Sequence, residues 1–178
     1  MVAGYDPVVL STLLVGARWL PILALVAFVV VGPLLGVWLS GRPRVAGALL
    51  ALSIAAVLGF TLAPDGDPSP AIGCAFELPY LSFTSVESLS NVLLLAPSAL
   101  LAGVLLRRPV VAAAGAIALS VVIETVQALV LAIGRACDTS DLLTNALGAI
   151  LGGLLALVAL QFARRRANRA ARAAAEPL

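Results

Sequence analysis

Five long apolar segments constrain this chain more than any other feature. They run approximately over Leu13–Leu39, Val45–Leu62, Leu89–Leu106, Val110–Ile133 and Leu142–Phe162. Each is close to the roughly 20 residues that an α-helix needs to cross a bilayer. Only 11% of the residues are charged, against about 25% in soluble domains. The sequence therefore predicts an all-α, polytopic membrane helix bundle with five transmembrane helices, built as a single membrane domain over residues 1–178.

The arginines predict how the bundle is oriented. Nine of them fall in two short connectors and in the C-terminal tail: Arg42, Arg44, Arg107, Arg108, Arg164, Arg165, Arg166, Arg169 and Arg172. If the spans alternate, all nine lie on one side, and the other side holds only Arg18 and Arg135. Because basic connectors stay in the cytoplasm, we expect an N-terminus outside and a cytoplasmic C-terminus.

Residues 164–178 then form a basic cytoplasmic tail. We interpret it as a topology-setting segment that also contacts acidic lipid headgroups. No aromatic residues are interleaved with its arginines, so a nucleic-acid partner is not expected.

Polar residues of the last three spans fall on single helix faces near one end of the bundle. The faces are Glu87, Asn91 and Ser98 in the third span, Ser120, Glu124 and Gln127 in the fourth, and Asp138, Asp141, Asn145, Gly148 and Gly152 in the fifth. Spacings of three, four and seven residues place side chains on one stripe of a helix. These stripes predict a polar funnel that opens outward, with Glu124 at its base about 14 Å below the outer helix end.

Most of these residues have a second interpretation in which they only build the bundle. Asp138 and Asp141 fit a helix cap, in which a carboxylate accepts backbone N–H groups. Gly148 and Gly152 form a GxxxG motif, which is typical of close helix packing. The amide side chains of the stripes fit hydrogen bonds between helices; they are Asn91, Gln127 and Asn145.

Glu124 is harder to explain by packing. A carboxylate near the middle of a membrane costs at least roughly 2.5 kcal/mol on insertion scales, so it must be protonated, paired or hydrated. Ionisable residues at such depth usually mark a functional site.

The two cysteines, Cys74 and Cys137, both fall in outer loops of the predicted topology. Disulfides persist outside the cytoplasm, and one pair leaves no competing connectivity. We therefore expect a disulfide that ties the loop 63–86 over the mouth of the funnel. The alternative is two free or buried thiols.

Three stretches resemble the VanZ-like family of small bacterial membrane proteins, named for a teicoplanin-resistance accessory protein. They are NVLLLAPSALLAG at 91–103, SVVIETVQ at 120–127 and GRACDTSDLLTNALGAILGG at 134–153, which places the family core over residues 86–160. The resemblance implies a multi-pass protein of the bacterial plasma membrane. It also carries over seven polar residues: Asn91, Glu124, Gln127, Arg135, Asp138, Asp141 and Asn145. One departure is that Ala96 and Ser98 flank Pro97, where many members have an aromatic residue and a glycine.

These observations favour a cell-envelope binding protein whose outward polar site holds a lipid headgroup, a lipid-linked wall precursor or a glycopeptide-type amphiphile. Arg135 would meet a phosphate, while Asn91 and Asn145 would donate and accept hydrogen bonds. The expected partners are membrane lipids, and no cofactor is expected; the oligomeric state is left open. The chain has no histidine, which excludes His-based acid–base chemistry and disfavours a zinc site.

Two other functions remain open. In a membrane enzyme, Glu124, Asp138 and Asp141 would supply acid–base chemistry or a site for Mg²⁺ or Ca²⁺. In a structural membrane subunit, the same polar groups would only pack helices.

Overall fold

The computed structural model describes residues 19–64, 74–75, 85–134 and 137–175. Within these ranges five helices are long and apolar enough to cross a membrane. They are α1 (Trp19–Leu39), α2 (Pro43–Leu62), α3 (Val86–Leu106), α4 (Pro109–Leu129) and α5 (Thr139–Ala175). The predicted five-helix bundle is therefore confirmed. Residues 13–18 of the first predicted span lie outside the described residues, and the orientation of the bundle stays a prediction.

The helix starts follow local sequence signals. Pro43 and Pro109 occupy the first turns of α2 and α4, where a missing N–H costs nothing and the fixed φ of proline suits a helix. At the start of α3, Ser85 is the N-cap, and its hydroxyl oxygen accepts the N–H of Ser88 at 3.0 Å. These signals place the starts of α2, α3 and α4 within three residues of the predicted ones.

Two helix ends differ from the predicted ones. α4 ends at Leu129 and is followed by a 3₁₀ turn, Leu131–Ile133, and by Gly134 with φ 72°. Glycine adopts this left-handed conformation without steric cost, so the chain turns here rather than extending the helix to Ile133. α5 continues beyond Phe162 to Ala175, because alanine and arginine are strong helix formers that need no membrane to remain helical.

α5 is the centre of the bundle and packs against α3, α4 and α1. Its closest approach is to α3, where Gly148 and Gly152 lie against the backbone carbonyls of Val92 and Ala96. A Cβ atom at either glycine would overlap those oxygens. The GxxxG motif therefore packs helices, as its second interpretation proposed.

The cysteines join the loop between α2 and α3 to the start of α5. Two short parallel strands, β1 (Cys74–Ala75) and β2 (Cys137–Asp138), pair here. Cys74 and Cys137 form a disulfide across them, with their Cα atoms 4.5 Å apart. The predicted disulfide is confirmed, and it marks the end of the bundle at which the polar residues converge.

Candidate functional site

A short side-chain hydrogen bond joins α3 to α5 in the polar region. The side-chain amide of Asn91 donates to Oδ1 of Asp141 at 2.6 Å. Asn91 lies in the second turn of α3 and Asp141 in the first turn of α5. This charge-assisted bond holds two of the predicted site residues together at the disulfide end of the bundle.

Asp138 connects the disulfide to the helices. Its side-chain Oδ1 accepts the N–H of Ser140 at 2.8 Å, which satisfies one of the free donors at the start of α5. Its own N–H donates to Oε2 of Glu124 on α4 at 3.2 Å. Asp138 thus caps α5, as predicted for this position. Its N–H also joins β2 to Glu124 of α4.

Glu124 is buried, with 6% of its surface exposed. It lies within electrostatic range of both Asp138 and Asp141. Three carboxyl groups from α4, β2 and α5 therefore share one region of the bundle. Among the described residues, however, no group of three His, Cys, Asp or Glu side chains is arranged to hold a metal ion, so the geometry adds no support to a Mg²⁺ or Ca²⁺ enzyme.

Gln127 is directed away from this cluster. Its side-chain amide donates to the main-chain oxygen of Thr61 on α2 at 2.8 Å, and both residues are buried. The bond joins α4 to α2, so Gln127 fits the helix-joining interpretation. Thr61 was not predicted as its partner, because a main-chain carbonyl leaves no signal in the sequence.

Asn145 and Ser120 are buried polar residues on the faces of α5 and α4. They are 4% and 0% exposed, respectively. Among the described residues, Asn145 Oδ1 and the Ser120 hydroxyl have no hydrogen-bond partner. Buried polar atoms in native proteins are nearly always bonded, so these two require an explanation.

The three residues of the polar face predicted for α3 have three different environments. Asn91 faces α5, whereas Glu87 is exposed. The hydroxyl of Ser98 lies 2.7 Å from that of Ser53, which joins α3 to α2. Ser53 was missed, although a single serine within the apolar α2 was a visible signal. The polar residue that replaces the usual glycine after Pro97 thus has a packing role.

The structure brings five of the seven predicted site residues to one end of α3, α4 and α5. They are Asn91, Glu124, Asp138, Asp141 and Asn145. Gln127 faces α2 instead, and Arg135 lies outside the described residues. The deeper residues are packed between helices rather than lining an open funnel. Their role as a ligand site therefore stays a prediction.

An apolar groove lies on the other side of α3, at the same end. It has a volume of about 450 Å³ and is lined by Leu20, Pro21, Ala24, Val86, Ser90, Leu93 and Leu94. α1 forms one wall and the first turns of α3 form the other. Ser90 lines the groove, and the next residue, Asn91, belongs to the polar cluster. The apolar groove and the polar cluster therefore lie on adjacent faces of α3 at the same level.

A family model described as VanZ/LLP1 matches residues 51–160 of this chain. The chain belongs to the VanZ/LLP1 family. The match confirms the resemblance to VanZ-like proteins, and together with the five apolar helices it makes this a VanZ-like membrane protein. The matched VanZ region includes every predicted site residue and both cysteines, and it leaves out α1 and the basic tail. Searches of curated proteins and of solved structures found no match.

Proposed function

We propose that this VanZ-like protein lies in a bacterial plasma membrane and binds an amphiphile of the cell envelope. The observation that carries the proposal is the arrangement around the first turns of α3. On one side of the helix, Asn91 is bonded to Asp141. On the other side, Ser90 and Leu93 line the apolar groove against α1. An amphiphile offers a polar group and an apolar chain, which match these two surfaces at one membrane depth.

The polar end of the site selects the headgroup. In this proposal a phosphate of the headgroup pairs with Arg135, as the guanidinium is a fork that matches phosphate oxygens. Asn91, which is half-buried, supplies a neutral hydrogen-bonding group. Membrane phospholipids, lipid-linked wall precursors and glycopeptide-type amphiphiles all combine such a head with an apolar chain, and we expect the site to face outward.

The groove suits the apolar chain. Its walls are leucine, valine, alanine and proline side chains, with one serine at the polar edge. Burying each CH₂ group of a chain contributes about 0.8 kcal/mol relative to water. Against lipid the gain is smaller, so the headgroup contacts determine which amphiphile is retained.

Native mass spectrometry of protein purified in a mild detergent tests this function. We expect a co-purified phospholipid or precursor lipid on the wild type and an affinity at least about tenfold lower for Arg135→Ala, because one charge-assisted contact contributes about 1.5–3 kcal/mol. Arg44→Ala, an exposed arginine at the opposite end of the bundle, is the matched control. Equal occupancy in the two variants would contradict the proposal.

A further inference from the structure

The register between α4 and α5 is fixed by small residues near the middle of the bundle. Ala116 and Ala149 belong to one buried cluster. Toward the other end, a Cβ atom at Gly153 would lie 3.0 Å from that of Ala113. α4 and α5 are joined by a short connector and run antiparallel. Residues later in α4 therefore lie beside residues earlier in α5.

Ser120 and Asn145 therefore lie at the same level. Ser120 is one helical turn beyond Ala116 on the same face of α4, and Asn145 is one turn before Ala149 on the same face of α5. Both side chains are more than nine-tenths buried, and both present an oxygen with no partner among the described residues. The register thus places two such oxygens at one level between the same two helices.

Glu124 completes this group one turn above Ser120. Its Oε2 accepts the Asp138 N–H, and that bond involves only one of the two carboxylate oxygens. A carboxylate oxygen, an amide carbonyl oxygen and a hydroxyl oxygen thus face one region between α4 and α5. All three are hard ligands of the kind that alkali and alkaline-earth cations prefer.

We propose that Ser120, Glu124 and Asn145 form a binding site for one monovalent metal cation between α4 and α5. A single carboxylate neutralises a single positive charge, so the occupied site carries no net charge within the membrane, where uncompensated charge is costly. A divalent cation would draw on the neighbouring carboxylates as well, and Asp141 and Asp138 already accept hydrogen bonds from the Asn91 amide and the Ser140 N–H. An anion would be repelled by Glu124 and would meet oxygen acceptors instead of donors.

This cation site goes beyond the proposed amphiphile binding and does not depend on it. The cation would explain why two polar oxygens are buried at this depth, and it would hold α4 and α5 together at this level. Water molecules would fill the coordination positions that the three side chains leave open.

Thermal unfolding in detergent, without added lipid, tests the cation site. We expect the wild type to have a melting temperature several degrees higher in sodium chloride than in choline chloride at equal ionic strength, because a ligand that binds only the folded state stabilises it. The difference should saturate with sodium concentration. It should disappear in Glu124→Gln, which removes the charge, and in Ser120→Ala, which removes one ligand.

Ser98→Ala is the matched control, since it also deletes a buried serine hydroxyl but one that is bonded to Ser53. It should retain the full response to sodium. If a variant fails to fold, sodium NMR relaxation on the wild type, with potassium as competitor, provides an independent reading of binding. A wild type that responds equally to sodium and choline, or a sodium response that survives in Ser120→Ala, would overturn the proposal, whatever lipid the protein retains.

Discussion

Glu124 is bonded to a main-chain donor, the N–H of Asp138, instead of a basic side chain among the described residues. A substitution can therefore remove the charge of Glu124 and still keep an oxygen that accepts the Asp138 N–H. A glutamine at position 124 keeps an oxygen within reach of that N–H, whereas a leucine leaves the donor without its partner. The charge of Glu124 and its hydrogen bond can therefore be separated by substitution.

We predict that Glu124→Gln folds like the wild type and that Glu124→Leu is destabilised. The loss of a partner for a half-buried N–H costs about 1–3 kcal/mol. Unfolding in detergent, compared in choline chloride so that no alkali cation contributes, measures both variants. Equal stability of the two would mean that the Asp138 N–H has another partner and that Glu124 does not position β2.

At the scale of helices, small residues determine how closely the bundle packs. Gly148 and Gly152 bring α5 against the backbone of α3. Gly36 and Gly103 lie against the Cβ atoms of Ala159 and Ala156 of α5. Without a hydrophobic driving force between helices in lipid, such close contact is a main source of stability.

We predict that Gly152→Ala destabilises the bundle by about 1–3 kcal/mol, the usual cost of overpacking a core. Gly115→Ala is the matched control, because Gly115 lies inside α4 with open space around it. That change should be neutral or stabilising by up to about 1 kcal/mol, since alanine is the better helix former. Thermal unfolding of both variants measures the difference, and similar effects would show that α3 and α5 do not pack through this face.

The helices and the disulfide could be predicted because their signals are local or unambiguous. Apolar length defined the spans, and a single pair of cysteines allowed one bridge. The partners of the polar side chains could not be predicted in this way. Helix periodicity placed Glu124 and Gln127 on one stripe, yet one bonds to β2 and the other to α2, because a stripe about 100° wide can face two neighbours at once. The continuation of α5 as a helix through the arginine-rich segment to Ala175 was not foreseen.

For the molecule as a whole, the disulfide connects the α2–α3 loop to the helices that carry the candidate site. It closes a loop of 63 residues and lies next to Asp138, the cap of α5. We predict that Cys74→Ser with Cys137→Ser lowers the free energy of unfolding by up to about 4 kcal/mol, the chain-entropy limit for such a loop. The same variant should retain less co-purified amphiphile. Unfolding in detergent with and without reductant measures the stability, and a reductant-insensitive wild type would contradict this role.

The orientation of the bundle follows from its arginines and is tested in intact cells. We expect a cysteine at Ala167, in the cysteine-free background, not to react with an impermeant thiol reagent until the cells are opened. A cysteine at Ser90, at the disulfide end, should react at once or be protected only by bound amphiphile. Labelling of position 167 in intact cells would show that the C-terminus lies outside and would contradict the predicted topology.

The central claim is that an amphiphile binds where the groove between α1 and α3 meets the polar cluster, and photo-cross-linking tests it most directly. A photoreactive amino acid at Leu93 reports on this groove. The same photoreactive amino acid at position 154 reports on the separate groove of about 250 Å³ between α4 and α5. We predict a specific lipid adduct at position 93, identified by mass, that Arg135→Ala diminishes, and only a mixture of bulk lipids at position 154. The same lipid mixture at both positions, unchanged by Arg135→Ala, would contradict the account.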